Sequence, residues 1–479
     1  MPARPALAAT PLCDLLDCRY PLILAGMGGV ARAELVAAVS GFGGLGILGM
    51  VREPLALIER EVAEVRRRTD RPFGVNLIPA GTARALLRSQ VDLCIALQVP
   101  VVELFWEVDE AIIARLRGAG IVVLHQVGSA QEALQAQAAG AHAIVAQGVE
   151  AGGHVRGRQP LMQLLPEVLG CVQLPVAAAG GLADGRDVGR VLAMGAQAAV
   201  LGTALMMTTE SFAHEVHKQR LVQAESREVL LTEDFHINWP PLAAVRVLPN
   251  AVTRGERGDP FTSAPQVIGE EEGRPIYCFS TDSPLRSMTG DLEAMALYAG
   301  LGVGRIHDIV PAAERLQALA DGAAAHLRLV GAPPAPLTSP VCYAGEQQQT
   351  QQARLAARLG ALLAPERALA GALHALALQA SAPVRAQHLA PLLRAQTQLA
   401  GVLVRALRQA DAPVAATADA APAAAAQPLA ALLASAAALQ AEWKALLEAI
   451  DAELAQQARA LLALRAEALD ALLAASAQG

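Results

Sequence analysis

Lysine is almost missing from this 479-residue chain: of 38 basic residues only Lys218 and Lys444 are lysines, the rest arginine. Neither lysine follows a strand-like run, so a lysine Schiff-base aldolase is not expected. Cysteine is sparse as well. Cys13, Cys18, Cys94, Cys171, Cys278 and Cys342 are scattered, with no C-x-x-C pair and no histidines at zinc-finger spacing. That excludes a disulfide framework and a structural zinc site, and reads as reduced thiols in a cytoplasmic protein. No positive excess exists either; the net charge of -7 leaves no footprint for nucleic acid or an anionic membrane. Met1–Thr10 lacks the apolar core of a signal peptide. The long uncharged stretch Ala420–Ala441 is mostly alanine, interrupted by Pro422 and Pro428, and is too weakly apolar for a membrane span.

Apolar residues are plentiful, at 53%. The chain is too long for one ordinary domain, although a single (β/α)₈ barrel absorbs roughly 250 to 330 residues. From residue 20 onward, short apolar runs alternate with helix-like segments. Eight runs stand out: Pro21–Met27, Gly44–Met50, Phe73–Ile78, Val99–Trp106, Ile121–Val127, Ala143–Gln147, Pro175–Ala179 and Ala198–Gly202. Each is continuously apolar, as strands buried on both faces are. Eight strands with eight crossovers predict a closed (β/α)₈ TIM barrel. The expected barrel domain is 1–332. A helix at Ser211–Ala224 and an irregular insertion at 229–287 follow strand eight, then helices near Asp291–Ala299 and Pro311–Leu329. A linker at 333–346 precedes an all-α C-terminal extension, 347–479. Helices are expected there near Gln347–Leu363, Glu366–Ala380 and Ala386–Ala410. After an Ala/Pro linker at 412–427, a long helix runs to about Ala475. Its stripe Leu429, Leu432, Ala436, Leu439, Trp443, Leu446, Ile450 steps by three and four and calls for a partner helix, inside a bundle, across a homo-oligomer or on another protein.

Barrel enzymes carry their sites at the C-terminal ends of the strands. There the chain offers Ala25-Gly26-Met27, Asn76, His125-Gln126, Glu150-Ala151-Gly152-Gly153-His154, Ala179-Gly180-Gly181 and Gly202-Thr203. Glycines after strands seven and eight suit a phosphate, because Cβ atoms would block the approach of backbone N–H groups and a helix N-terminus adds positive potential. Without G-x-x-x-x-G-K-[ST], such a phosphate belongs to a bound cofactor rather than a hydrolysed nucleotide. His154, reached through two glycines, is the candidate catalytic residue. His125 reads as packed, with Gln126 facing the mouth. His214 and His217 read as an exposed helical face, and no metal site is expected.

These pieces, together with Thr10–Leu16, Gly43–Gly46, Phe73–Leu77, Ala179–Gly185, Leu201–Thr203 and Thr289–Gly300, resemble the nitronate monooxygenase (2-nitropropane dioxygenase) family over about residues 10–329. The resemblance implies non-covalent FMN. It puts the phosphate on Gly180, Gly181, Gly202 and Thr203, with Met27, Asn76 and Gln126 near the ring and ribityl chain. Ala25, Gly26, Gly153 and Ala179 complete the implied cofactor shell. It further implies oxidation of alkyl nitronates, and of nitroalkanes where accepted, by O₂ to a carbonyl compound and nitrite without NAD(P)H. His154 would hydrogen-bond the nitro oxygens or take the α-proton, roles suited to an imidazole titrating near neutrality. E-A-G-G-H is shared with flavin-dependent enoyl-ACP reductases, which use NAD(P)H; that is the competing enzyme. A helical scaffold or partner-binding module on a retained barrel is the competing class.

Overall fold

The structure is a computed structural model. It describes residues 7–240, 243–264, 266–331 and 452–476, with isolated positions between 362 and 447. The chain divides into two compact units, Met1–Val341 and Cys342–Gly479.

The first unit is an eight-stranded parallel barrel. Its strands are Leu22–Leu24, Gly46–Gly49, Phe73–Leu77, Val101–Phe105, Val122–Val127, Ala143–Gln147, Val176–Ala179 and Ala198–Leu201. Each pairs with the next in parallel register from strand two to strand eight, and strand eight pairs with strand one. Closure between strands one and two is short. It consists of an Ile23–Leu45 bridge, with Leu24 N–H donating to Leu45 O and Leu45 N–H to Leu22 O, both at 2.9 Å.

Seven helices follow strands one to seven: Ala33–Phe42, Leu55–Arg68, Arg84–Ala96, Glu110–Gly118, Ala130–Ala139, Leu161–Cys171 and Gly185–Ala193. Asp109, Ser129 and Asp184 cap the N-termini of Glu110–Gly118, Ala130–Ala139 and Gly185–Ala193 through side-chain oxygens that accept from backbone N–H groups three residues on. The eighth helix, Ala312–Val330, arrives only after an insertion of more than a hundred residues, and packs on Gly185–Ala193 and Ala33–Phe42. Glycines let it approach: a Cβ on Gly185 would lie 2.6 Å from Gly322 Cα.

Side-chain alternation divides the barrel into two cores. Leu22, Leu24, Leu48, Val75, Val102, Leu104 and Val123 point outward against the helices. Ile23, Leu45, Ile47, Val101, Leu124, Val145 and Val200 point inward, and Leu12 and Leu16 of the helix Pro11–Leu16 close the N-terminal floor. Pro11 begins that helix and the Thr10 side chain caps it, while Thr10 also donates to Gln197 O at 2.6 Å, fixing the plug to the barrel.

The insertion departs from the sequence reading. Within 229–287, expected to be irregular with no long element, lie the short strands Leu230–Thr232, Val245–Val247, Val267–Glu271 and Arg274–Tyr277. The helix expected over Asp291–Ala299 is only a 3₁₀ turn, Leu292–Ala294. Beyond it the chain extends because Leu248 N–H donates to Leu297 O (2.8 Å) and Ala299 N–H to Arg246 O (3.2 Å). Pairing with the neighbouring strand outweighs the helix-favouring Ala, Leu and Met composition.

In the second unit, Ala452–Ser476 is helical, and Ala436, Leu439 and Trp443 of the apolar stripe are buried. The buried Glu366 carboxylate accepts from Trp443 Nε1 at 2.6 Å and pairs with Arg465 Nη1 at 2.9 Å. A charge so enclosed is tolerated because it is both paired and hydrogen-bonded. The linkers expected at 333–346 and 412–427, and most of the three expected helices between 347 and 410, lie outside the described residues. Among the described residues no helix is long and apolar enough to cross a membrane.

Candidate active site

Following the inward-facing positions up each strand, the side chains turn polar near the C-terminal end. Val101 gives way to Glu103, Leu124 to Gln126, Val145 to Gln147 and Gly74 to Asn76. Asn76 Nδ2 donates to Glu103 Oε2 at 2.9 Å, and both residues are buried. Gly26 makes room for them, since a Cβ there would sit 2.2 Å from Asn76 Cβ. Burial pushes the Glu103 carboxyl up to about 7, against the opposing pull of the Asn76 and Gly26 hydrogen bonds. Asn76 Oδ1 and Glu103 Oε1 are enclosed without a hydrogen-bond partner.

His154 stands on a two-residue strand, Gly153–His154, that pairs antiparallel with Val245–Val247 of the insertion. Its backbone is held from the barrel side too: Gln147 Nε2 donates to His154 O at 2.9 Å, and Gln147 Oε1 accepts from Arg156 N at 3.1 Å. The loop before it is fixed at both ends. Glu150 accepts from Leu161 N–H (2.9 Å) at the start of the helix Leu161–Cys171, and Arg246 donates to Val149 O (2.7 Å). Glu150 in the E-A-G-G-H segment therefore anchors the loop, and the histidine is the member left for chemistry.

The His154 ring stacks on Trp239, centroids 3.4 Å apart at 30°, and lies 5.6 Å from the Tyr298 ring. Its Nε2 is enclosed and without a partner. Burial, reinforced by the Arg52 guanidinium, holds its pKa well below the usual imidazole range. Burial thus favours the neutral imidazole, where the sequence led to a titration near neutrality.

Opposite lie the glycine loops. Gly180 and Gly181 adopt φ of 111° and 69°, the left-handed side open mainly to glycine. A Cβ on Gly181 would come within 2.8 Å of Glu150 Cβ, so the pair also permits close packing against the histidine's loop. Strand eight runs directly into a short helix, Thr203–Met206, whose first amides have no carbonyl behind them within the helix.

All twelve residues singled out from sequence line one cavity of about 270 Å³: Ala25, Gly26 and Met27 from the loop after strand one, Asn76, Gln126, Gly153 and His154, then Ala179, Gly180, Gly181, Gly202 and Thr203. His125 is buried instead, its ring nitrogens on Gln126 O and Glu107 O at 3.1 and 3.3 Å. The exposed face expected for His214 and His217 is corrected in part. His214 caps the helix Glu215–Gln223, but His217 is fully buried, bonded to Tyr298 O at 3.0 Å, and the buried Lys218 donates to Thr208 O at 2.9 Å. Sequence reasoning missed Arg52, Glu103, Gln147, Trp239 and Tyr298, all of which line the cavity. Strand alternation could have found Glu103 and Gln147; nothing in the local pattern marks the others.

The donor set fits a flavin. Asn76 Oδ1, Glu103 Oε1 and His154 Nε2 are enclosed polar atoms waiting for partners, and the Gly180, Gly181, Gly202 and Thr203 loops can admit a phosphate. Barrel and cavity together define a flavin-binding barrel oxidoreductase. The nitronate monooxygenase family model matches residues 9–86 and 82–322, and the chain belongs to that family. It is 36% identical over 265 residues to a (3aS,4S,5R,7aS)-5-hydroxy-7a-methyl-1-oxo-octahydro-1H-indene-4-carboxyl-CoA dehydrogenase of Mycobacterium tuberculosis, covering 54% of this chain and 73% of that one. It is 34% identical over 268 residues to a probable nitronate monooxygenase of Staphylococcus haemolyticus, covering 47% and 75%. Among solved structures, a nitroalkane oxidase from Streptomyces ansochromogenes superposes with TM-score 0.56 at 30% identity, over 67% of this chain and 99% of that one. FabK from Thermotoga maritima gives 0.57 at 28% identity, over 67% and 98%.

Proposed function

We propose that the barrel oxidises alkyl nitronates with FMN and O₂, giving a carbonyl compound and nitrite. The observation that carries this reading is a neutral histidine whose enclosed Nε2 has no partner, set in a cavity that also holds glycine loops fit for a cofactor phosphate. FMN would supply the electron transfer from the nitronate to oxygen. Gly180, Gly181, Gly202 and Thr203 would hold its phosphate, and Asn76, Glu103 and Gln126 would meet its polar ring and ribityl chain.

The remaining work falls to side chains. His154, neutral and carrying a proton on one ring nitrogen, donates a hydrogen bond to a nitro oxygen. Its depressed basicity makes it a poor acceptor of an α-proton, so the already ionised nitronate is the substrate this pocket favours over the neutral nitroalkane. Trp239 and Tyr298 fix the ring and exclude water from one side. The test is oxygen uptake and nitrite release by purified protein given an alkyl nitronate and no NADH. Turnover confined to NADH with an enoyl thioester would sink the reading.

That second reading, thioester redox chemistry, is supported by the similarity to a carboxyl-CoA dehydrogenase. The same assay decides between them.

A further inference from the structure

Among the arginines at the cavity mouth, one stands without an ion pair among the described residues. Two arginines line it, Arg52 and Arg274. Arg274 is committed to Glu271 at 2.7 Å and Asp282 at 3.1 Å, and Glu53 faces Arg32 at 3.3 Å. Deeper in, Glu103 is held toward its neutral form by burial. Arg52 forms no ion pair among the described residues. Its Nη1 donates to Asn238 O at 2.6 Å and to Thr281 Oγ1 at 3.1 Å, bonds to neutral groups that aim the guanidinium without cancelling its charge.

Arg52 follows strand two in the left-handed region, φ 61°, which is uncommon for a residue other than glycine. The guanidinium is close enough to bear on both aromatic-ring neighbours of the site. It lowers the pKa of His154 and opposes the rise at Tyr298. A half-buried, oriented cation that forms no ion pair, beside a neutral hydrogen-bonding imidazole, is a receptor for an anion with two coplanar oxygens, the shape a guanidinium fork binds best.

We propose that Arg52 is the specificity-determining residue that recognises the negative charge of the substrate, binding its planar two-oxygen group beside His154. For the nitronate this rests on the function proposed above, since a nitronate carries its charge on such a pair of oxygens while a nitroalkane carries none. The opposing account makes Arg52 a strut that ties strand two to the Asn238 and Thr281 segments of the insertion.

The probe is nitrate, a planar anion, titrated into the flavin-loaded protein and followed by perturbation of the visible flavin bands. The variants are Arg52→Gln and Arg52→Lys, each checked for retained flavin and unchanged circular dichroism. The proposal expects Arg52→Gln to weaken nitrate binding about tenfold or more, with Arg52→Lys recovering part of the loss because it restores charge without the fork. The KM for a nitronate should rise about as far in the Gln variant, with kcat little changed. Equal nitrate affinity in wild type and Arg52→Gln, or no nitrate binding by the wild type, overturns the proposal. Arg52-dependent nitrate binding in a protein that turns over no nitronate would sustain the anion site and remove the nitronate reading alone.

Discussion

The two ends of the barrel are built by the same strands and could hardly differ more. At the floor, Ile23, Leu45, Ile47, Val101 and Leu124 meet Leu12 and Leu16 of the plugging helix, with no polar side chain among them. Two residues further along strands three to six, the same inward face presents Asn76, Glu103, Gln126 and Gln147, and enclosed polar atoms go without partners. One end is optimised for packing, and the other carries costs that make sense only if something binds there.

If that contrast is correct, substitutions at the two ends should separate chemistry from stability. The largest effect is expected from His154→Ala, which should lower kcat/KM for a nitronate by roughly 10² to 10⁴-fold while leaving thermal stability nearly unchanged. Steady-state oxygen uptake with parallel melting curves checks it. At the floor, Ile47→Ala should do the opposite, costing about 2–5 kcal/mol in denaturant unfolding with KM preserved.

The buried titratable groups sharpen the comparison through pH. Glu103, raised from 4.5 to about 7, binds its proton more tightly folded than unfolded. Its favourable contribution is complete below about 4.5 and is lost as pH rises through 7. Glu103→Gln should therefore stabilise the protein at pH 8 by something on the order of 3 kcal/mol, with the gain vanishing at acid pH. His217, lowered from 6.5 to about 4 by burial, acts in the other direction. Its neutral form is accommodated above 6.5, and stability falls as pH drops from 6.5 towards 4. Urea titrations of wild type and Glu103→Gln across this range would expose both slopes, and a gain that is flat with pH would contradict the assignment. The smallest change is expected from Gln147→Leu, which frees the His154 backbone and should cost about tenfold in kcat/KM with flavin retained.

How far the sequence reached follows the same division. The barrel was legible because strands buried on both faces are continuous apolar runs, and Pro175–Ala179 or Ala143–Gln147 can be little else. The glycine loops and His154 were legible because strand ends are where barrels keep their chemistry. Glu103 and Gln147 were readable in principle, as the polar members of an alternating inward series within apolar strands, yet a continuous run hides its own alternation. Trp239, Tyr298 and Arg52 were not readable. The first two come from the long insertion, whose course over the mouth depends on pairings such as Val245 with His154 that no local pattern encodes. The third depends on a backbone conformation that arginine seldom adopts. For Asp291–Ala299, local helix propensity pointed one way and a non-local strand pairing decided the other.

The most direct test compares flavin content after purification in wild type, Ile47→Ala and Gly202→Leu. Gly202 lines the cavity, and a Cβ there would meet nothing closer than 3.9 Å, so there is room for a side chain that occupies the cavity. The account predicts stoichiometric flavin in wild type and in Ile47→Ala, and a folded Gly202→Leu protein with almost none. A wild type that carries no flavin, or a Gly202→Leu protein that keeps its full complement, would contradict it.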